Sequence, residues 1–110
     1  RFEEAKALLR RTIPVTRRVL GDSSRTTLAQ RCNYAESLYE DPEATLDDLR
    51  EAVTTLEETA RTARRVLGAT HPITVKIEHA LPDARAALRA REEASSLREA
   101  MAAMAPPEKE

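Results

Sequence analysis

The chain has 110 residues, with 18 basic and 19 acidic side chains and a formal net charge of -1. Alanine (19) and arginine (15) dominate, glycine occurs twice, and aromatic residues make up only 3%. The even charge balance disfavours proteins that coat nucleic acid or an anionic membrane. The composition disfavours all-β and doubly wound α/β folds, and predicts long helices that pack through many small contacts.

The first predicted helix covers residues 2–21, where apolar residues recur in steps of three and four. Gly21 supplies a left-handed position that commonly ends a helix, and Asp22, Ser23 and Ser24 are candidates to cap the next one. Pro14 falls inside this helix, as Pro82 falls inside the last one. Each proline either kinks or breaks its helix.

The second and third predicted helices form a hairpin over residues 24–68. The dipeptide Asp41-Pro42 ends the second helix, because proline disfavours helical geometry in the residue before it. Thr45 and Asp48 then predict a capping box for the third helix, and Gly68 ends it. The third helix carries the most regular apolar stripe, with steps of three and four from Leu46 to Leu67.

The last predicted segment covers residues 71–105 and comprises one helix and a following helix. It opens at Thr70-His71-Pro72, a cap with proline at the first helical position. Residues 106–110 contain two prolines and three charged residues. We expect them to form a disordered tail, because they contain nothing to bury.

An internal repeat relates the two halves of the chain. The sequence Arg-Arg-Val-Leu-Gly at residues 17–21 recurs at residues 64–68, an offset of 47 residues. The same offset aligns Ala5 with Ala52, Leu9 with Leu56 and Thr27 with Thr74. A repeat of this length is typical of solenoids built from stacked helical hairpins, in which each hairpin buries its apolar stripe against its neighbours.

The segment Leu-Gly-Ala-Thr-His-Pro-Ile-Thr at residues 67–74 resembles the "LG-x-x-HP-x-T" junction of kinesin-light-chain-type tetratricopeptide repeats. Leu28, Asn33 and Ala35 fall where that family has Leu, Asn and Ala in its A helix, and Phe-Glu-Glu-Ala at residues 2–5 resembles the B-helix sequence "Y-E-E-A". The chain departs from the family in its 47-residue period, in the loop that begins at Asp41-Pro42, and in a first junction that lacks His-Pro.

The resemblance implies a tetratricopeptide-like domain over residues 1–105, built as a short right-handed solenoid with four main helices. It assigns residues 2–21 to a B helix, residues 24–68 to an A–B hairpin, and residues 71–105 to an A helix and a following helix. It also implies a groove lined by A helices, in which peptides bind. The polar residues expected there are Gln30, Arg31, Asn33, Ser37, Lys76 and His79.

Residues that might carry chemistry have simpler structural interpretations. His71 and His79 lie eight residues apart, whereas two metal ligands on one helical face are three or four apart. Cys32 has no partner in a recognisable protease motif, and two glycines 47 residues apart cannot form a phosphate loop. The arginine clusters suit helix C-termini and ion pairs of Arg61 with Glu57 and Glu58. We therefore predict no enzyme, no metal and no cofactor.

The sequence thus favours a non-enzymatic module that binds a protein or peptide, without nucleic acid and without a membrane span. Two alternatives remain open. The alanine-rich last helix could pack on another chain, which would make the protein a structural subunit of a larger assembly. The stripe from Leu46 to Leu67 also fits a coiled-coil oligomer. The single cysteine suits a reducing compartment, and we expect an intracellular, cytoplasmic protein.

Overall fold

A computed structural model describes residues 1–104 of the chain. It contains four helices in these residues: α1 (Phe2–Leu20), α2 (Arg25–Tyr39), α3 (Leu46–Leu67) and α4 (Pro72–Met104). The described part is elongated, with extents of 64 × 28 × 20 Å. The all-α prediction is confirmed, and the predicted tail at 106–110 lies outside the described residues.

The four helices stack as consecutive hairpins, with α2 at the centre. α2 packs against α1, α3 and α4, and α3 also packs against α4. This position explains why α2 contributes seven buried residues, more than any other of the four helices; among them, Leu28, Ala35 and Leu38 have no exposed surface. The arrangement is the stack of helical hairpins that the repeat predicted.

The helices are capped by residues in the segments where the sequence predicted caps. The Ser24 hydroxyl accepts a hydrogen bond from the Thr27 amide at 3.1 Å and caps α2. Thr45 and Asp48 form the predicted capping box of α3, with reciprocal bonds of 3.0 and 3.1 Å. His71 Nδ1 accepts from the Ile73 amide at 3.1 Å, so this side chain caps the start of α4.

Both glycines end a helix as predicted, but their backbone conformation differs from the left-handed helical one that was expected. Gly21 has φ 90° and ψ 165°, and Gly68 has φ 93° and ψ 160°. The positive φ agrees with the prediction, whereas the extended ψ differs from that of a left-handed helical residue. This region of the backbone map is essentially restricted to glycine. The two repeat-related junctions therefore need glycine for the same reason.

Neither internal proline breaks its helix. α1 runs through Pro14, and α4 runs through Pro82 as one helix of 33 residues. The sequence predicted an A helix and a following helix between residues 71 and 105, whereas the structure shows a single helix over residues 72–104. The reason lies in residues 87–92, which replace the breaking loop at 40–45 with Ala-Leu-Arg-Ala-Arg-Glu, all good helix formers.

The apolar stripe of α3, which has heptad-like spacing, packs against other helices of the same chain. Leu49 and Leu56 are 3% and 0% exposed, and Ala60 and Ala63 are also buried against α2 and α4. The interpretation of this stripe as a coiled-coil seam between chains is therefore wrong. Its period of three and four residues reflects the packing of one helix between two helices of the same chain.

Candidate functional site: the groove between α2 and α4

A groove lies between the polar faces of α2 and α4. It encloses about 500 Å³, and Asn33 lies at its edge. The residues that line it come from the second half of α2 and the first half of α4: Glu36, Tyr39, Glu40, Pro72, Val75, Lys76, His79, Ala80 and Asp83. The groove is open to solvent and its floor is apolar where Ala80 and the half-buried Tyr39 lie.

A second cavity of about 440 Å³ continues this surface toward α1. It is bounded by Phe2 and Ala5 of α1 and by Asn33 and Ser37 of α2. Glu36 and Glu40 border both cavities. The polar face of α2 therefore forms the wall between two adjoining depressions that run across three helices.

Lys76 connects the two sides of the groove. Its ammonium group donates a hydrogen bond to Asn33 Oδ1 at 3.3 Å and lies 4.0 Å from a carboxylate oxygen of Glu36. Both Asn33 and Lys76 are exposed. The sequence placed these residues on one face, and the structure brings them into direct contact.

Three carboxylates, those of Glu36, Glu40 and Asp83, line the groove near the C-terminal end of α2. Burial raises the pKa of the Tyr39 hydroxyl, and the nearby carboxylates of Glu36, Glu40 and Asp83 raise it further. Burial also raises the pKa of Glu36, an effect that Lys76 partly offsets. α2 has no basic residue in its last turn, unlike α1 and α3, so the negative end of its helix dipole adds to these charges.

The six residues predicted for the groove do not form one surface. Asn33, Lys76 and His79 are exposed along it, and Ser37 is buried at its margin, where its hydroxyl donates to the Tyr34 carbonyl at 2.6 Å. Arg31 instead binds Glu58 of α3 at 3.0 Å and lines a different cavity. Gln30 is half-buried, and its Oε1 has no hydrogen-bond partner among residues 1–104.

Sequence reasoning missed the acidic residues of the groove. Glu36 and Glu40 lie three and seven residues after Asn33, and Asp83 lies seven after Lys76. These intervals place each carboxylate on the same helical face as the residue that was singled out. The helical period was the signal that would have identified them.

The arginine-rich surface is organised by ion pairs between helices. Arg64 binds Glu78 at 2.6 Å, Arg85 binds Glu57 at 3.1 Å, and Arg31 binds Glu58 at 3.0 Å. The predicted pairs of Arg61 with Glu57 and Glu58 are therefore wrong. Both glutamates pair with arginines of neighbouring helices, a choice that spacing within α3 does not reveal.

The remaining features to consider are the single cysteine, possible metal-binding clusters and possible membrane-spanning helices. Cys32 is buried, and burial raises the pKa of its thiol to about 11, so the thiol is protonated at neutral pH. Within residues 1–104, no cluster of three or more His, Cys, Asp or Glu side chains is arranged to hold a metal ion. Over the same residues, none of the helices combines the length and the apolar run needed to cross a bilayer.

Comparison with known proteins gave one informative result. The family model described as "Tetratricopeptide repeat" matches residues 1–26 and 43–73, just over half of the chain. These ranges contain α1 with its junction and α3 with its junction. The comparisons with curated proteins and with solved structures gave no significant match.

Proposed function

Because the chain belongs to the tetratricopeptide repeat family, we propose that it is a non-enzymatic protein-interaction module that binds an extended peptide in the groove between α2 and α4. Asn33 and Lys76 contact the peptide backbone, and His79 contacts a side chain. The observation that carries this proposal is the open groove of about 500 Å³, in which an exposed amide, an exposed ammonium group and an apolar floor lie together. Ligand-binding sites commonly combine an apolar surface with a few placed polar groups.

The bound peptide carries a basic side chain. Glu36, Glu40 and Asp83 border the groove around Tyr39, and Lys76 is the single lysine or arginine among its lining residues. A lysine or arginine of the peptide inserts beside the Tyr39 ring, where it gains attraction to three carboxylates and to the negative end of α2. A protein partner is therefore favoured over nucleic acid, whose phosphates these carboxylates repel.

The repeat is of the kinesin-light-chain type. The junction at residues 67–74 supports this assignment, because His71 caps α4 and Pro72 is its first residue, as the "LG-x-x-HP-x-T" pattern requires. The first junction uses Ser24 for the same purpose. The buried thiol of Cys32 suits an intracellular, cytoplasmic location, where cysteines stay reduced.

The experiment that tests the function is selection of peptides from a random display library against the purified chain, followed by fluorescence anisotropy. We expect the selected peptides to contain lysine or arginine, and to lose about tenfold in affinity, or about 1.4 kcal/mol, with Asp83→Lys or Asn33→Ala. Arg18→Ala, at an exposed position on α1, is the matched control and leaves the affinity unchanged. Equal binding by all variants would place the peptide elsewhere.

A further inference from the structure

Three arginines line a cavity of about 230 Å³ between α1, α2 and α3. Arg10 and Arg17 come from α1, and Arg31 comes from α2. The cavity lies on a different face of α2 from the groove between α2 and α4, which is lined by Glu36 and Glu40. We name it the arginine cavity. The proposed function does not use it.

Arg10 is held in place by Tyr34 and still has donors to offer. Its Nε donates to the Tyr34 hydroxyl at 3.0 Å, and its guanidinium carbon lies 5.7 Å from the centre of the tyrosine ring. The N–H groups on its two Nη atoms donate no hydrogen bond within residues 1–104. The side chain is therefore oriented before a ligand arrives, which lowers the entropy cost of binding.

Arg17 and Arg31 are held in the same way, each by one carboxylate. Arg17 Nε donates to Asp22 at 2.6 Å, and Arg31 Nη2 donates to Glu58 at 3.0 Å. Neither arginine makes a second ion pair within residues 1–104. Asp22 and Glu58 are not among the lining residues, and their side chains are 61% and 51% exposed, so water screens much of their charge.

The equivalent cavity in the second half is neutralised by glutamates. The 47-residue offset places Glu57 and Glu78 where the first half has Arg10 and Arg31. Glu78 binds Arg64 through both carboxylate oxygens, at 2.6 and 3.3 Å, and Glu57 binds an arginine of α4 at 3.1 Å. The repeat therefore fills one cavity with ion pairs between its own lining residues and leaves the other rich in arginine.

The lining of the arginine cavity carries three arginines against one glutamate, Glu51. That carboxylate accepts a hydrogen bond from the Tyr34 hydroxyl at 2.7 Å, so it already has a partner. Leu9 and the buried Ile13 supply apolar surface beside the charges. An anion that enters the cavity meets an excess of positive charge equal to about two units, since the arginines are charged at neutral pH.

We propose that the arginine cavity binds the phosphate group of a phosphorylated side chain of a protein partner. At neutral pH such a group carries about −1.5 to −2 charge and three acceptor oxygens, which suit the donors of Arg10, Arg17 and Arg31 together. Guanidinium groups bind phosphate oxygens through paired N–H groups. The volume is below the roughly 300–1,000 Å³ of sites that enclose a whole small ligand, so the cavity takes a group on a side chain.

Nucleic acid fits this cavity less well than a phosphorylated protein. Proteins that bind single strands stack the bases on accessible aromatic rings. Tyr34 supplies the aromatic ring of the lining, but it is buried at 7% exposure and Arg10 lies over it. A phosphate on a side chain needs no such ring.

Titration of the full chain with N-acetyl-phosphoserine amide, followed by backbone amide NMR shifts, tests the proposal. We expect saturable shifts at the residues of the arginine cavity, with a dissociation constant in roughly the millimolar range because the probe is a single group. Arg64 and Glu78, in the second cavity, do not shift. The same compound with glutamate in place of phosphoserine binds about threefold more weakly or worse, because it carries less charge.

Three variants test the arginines. Arg17→Gln weakens binding of the phosphoserine compound about fivefold, because it removes one charged donor from the cavity. Arg64→Gln is the matched control, since Arg64 takes the place of Arg17 in the second half, and it leaves the affinity unchanged. Asp22→Asn tightens binding about twofold to threefold, because it removes the carboxylate that competes for Arg17. Damage to the fold cannot produce such a gain.

The opposite results are equally clear. Equal shifts at both cavities, or equal losses with Arg17→Gln and Arg64→Gln, would show a general attraction to arginine and overturn the proposal. Equal affinity for the glutamate compound would overturn the assignment to phosphate. Displacement of the phosphoserine compound by a lower concentration of oligodeoxythymidine would overturn the assignment to a protein partner.

Discussion

Each of the two repeat-related halves of this chain has a glycine junction of the same kind. The halves differ in the helices that pack over the residues next to that junction. In the first half, Arg10 of α1 donates to the Tyr34 hydroxyl at 3.0 Å, and that hydroxyl donates to Glu51 of α3 at 2.7 Å, so three helices are tied together. In the second half, Leu81 stands in place of Tyr34 and no helix follows among residues 1–104. The equivalent groove there is open, and it is bordered by the ion pairs of Arg64 with Glu78 and Arg85 with Glu57.

The difference teaches that similar local signals produce different burial when fewer helices of residues 1–104 pack against the helix that carries them. α2 is enclosed by three helices, whereas α4 packs against two and replaces apolar positions with polar ones. The comparison of matched residues in the two halves therefore separates what the junction contributes from what the covering helix contributes.

The largest expected difference is between Leu28 and its counterpart Val75, which are 0% and 37% exposed. Leu28→Ala removes a side chain enclosed by protein on all sides, so we expect it to lower the free energy of unfolding by about 2–5 kcal/mol. Val75→Ala costs less than about 1 kcal/mol, because solvent already contacts that side chain. Urea denaturation followed by circular dichroism measures both, and equal losses would contradict the comparison.

The junction glycines test the opposite expectation, that the halves are alike. Gly21→Ala and Gly68→Ala each place a Cβ on a residue with φ near 90°, at a cost of about 1–3 kcal/mol. Nothing lies within 4 Å of the added Cβ at either glycine, so the cost is backbone strain alone. Similar losses for both variants in thermal melts support equivalent junctions. A loss confined to one variant would show that the repeat is conformationally unequal.

The elements of the fold could be predicted from the sequence because their signals are local. The capping box of Thr45 and Asp48, the ends at both glycines and the stripe of α3 depend only on residues a few positions apart. The partners of charged side chains depend on which helices become neighbours. Lys6 is an example: it is buried at 5% exposure between Glu3, Asp41 and Asp48, and its pKa is raised mainly by the bond to Glu3. Helical spacing within α1 predicts the pair with Glu3, but no pattern within α1 reveals the contacts with Asp41 and Asp48.

The candidate site was only partly predictable for the same reason. Asn33 and Lys76 meet because α2 and α4 pack side by side, which the repeat implied. Arg31 faces α3 instead, because helix rotation about its axis depends on packing and is not fixed by polarity alone. The length of α4 could not be predicted from Pro82 alone, because the helix formers at residues 87–92 continue the helix where α2 ends in a loop.

A smaller difference is expected at Thr27 and Thr74, which occupy the same place in the two junctions. The Thr27 hydroxyl donates to the Gly21 carbonyl at 2.7 Å, whereas Thr74 Oγ1 is buried with no hydrogen-bond partner among residues 1–104. Thr27→Val should cost about 1 kcal/mol, and Thr74→Val should be neutral or stabilising, because it removes a buried hydroxyl that is not satisfied. Chemical denaturation of both variants checks this. A larger loss at Thr74 would mean that the hydroxyl is satisfied in solution.

The smallest effect concerns Glu36, whose pKa is raised from 4.5 mainly by burial and is lowered in part by Lys76. A carboxyl with a raised pKa in the folded state favours folding when it is protonated. That contribution is complete below about pH 4.5, the pKa of the unfolded chain, and it is lost as the pH rises through the folded value. The melting temperature of Glu36→Gln should therefore exceed that of the parent chain by more at pH 7 than at pH 4. Glu93→Gln, which alters an exposed carboxylate of α4 that forms no ion pair within residues 1–104, is the control. The same pH dependence in both variants would assign the effect to net charge rather than to the groove.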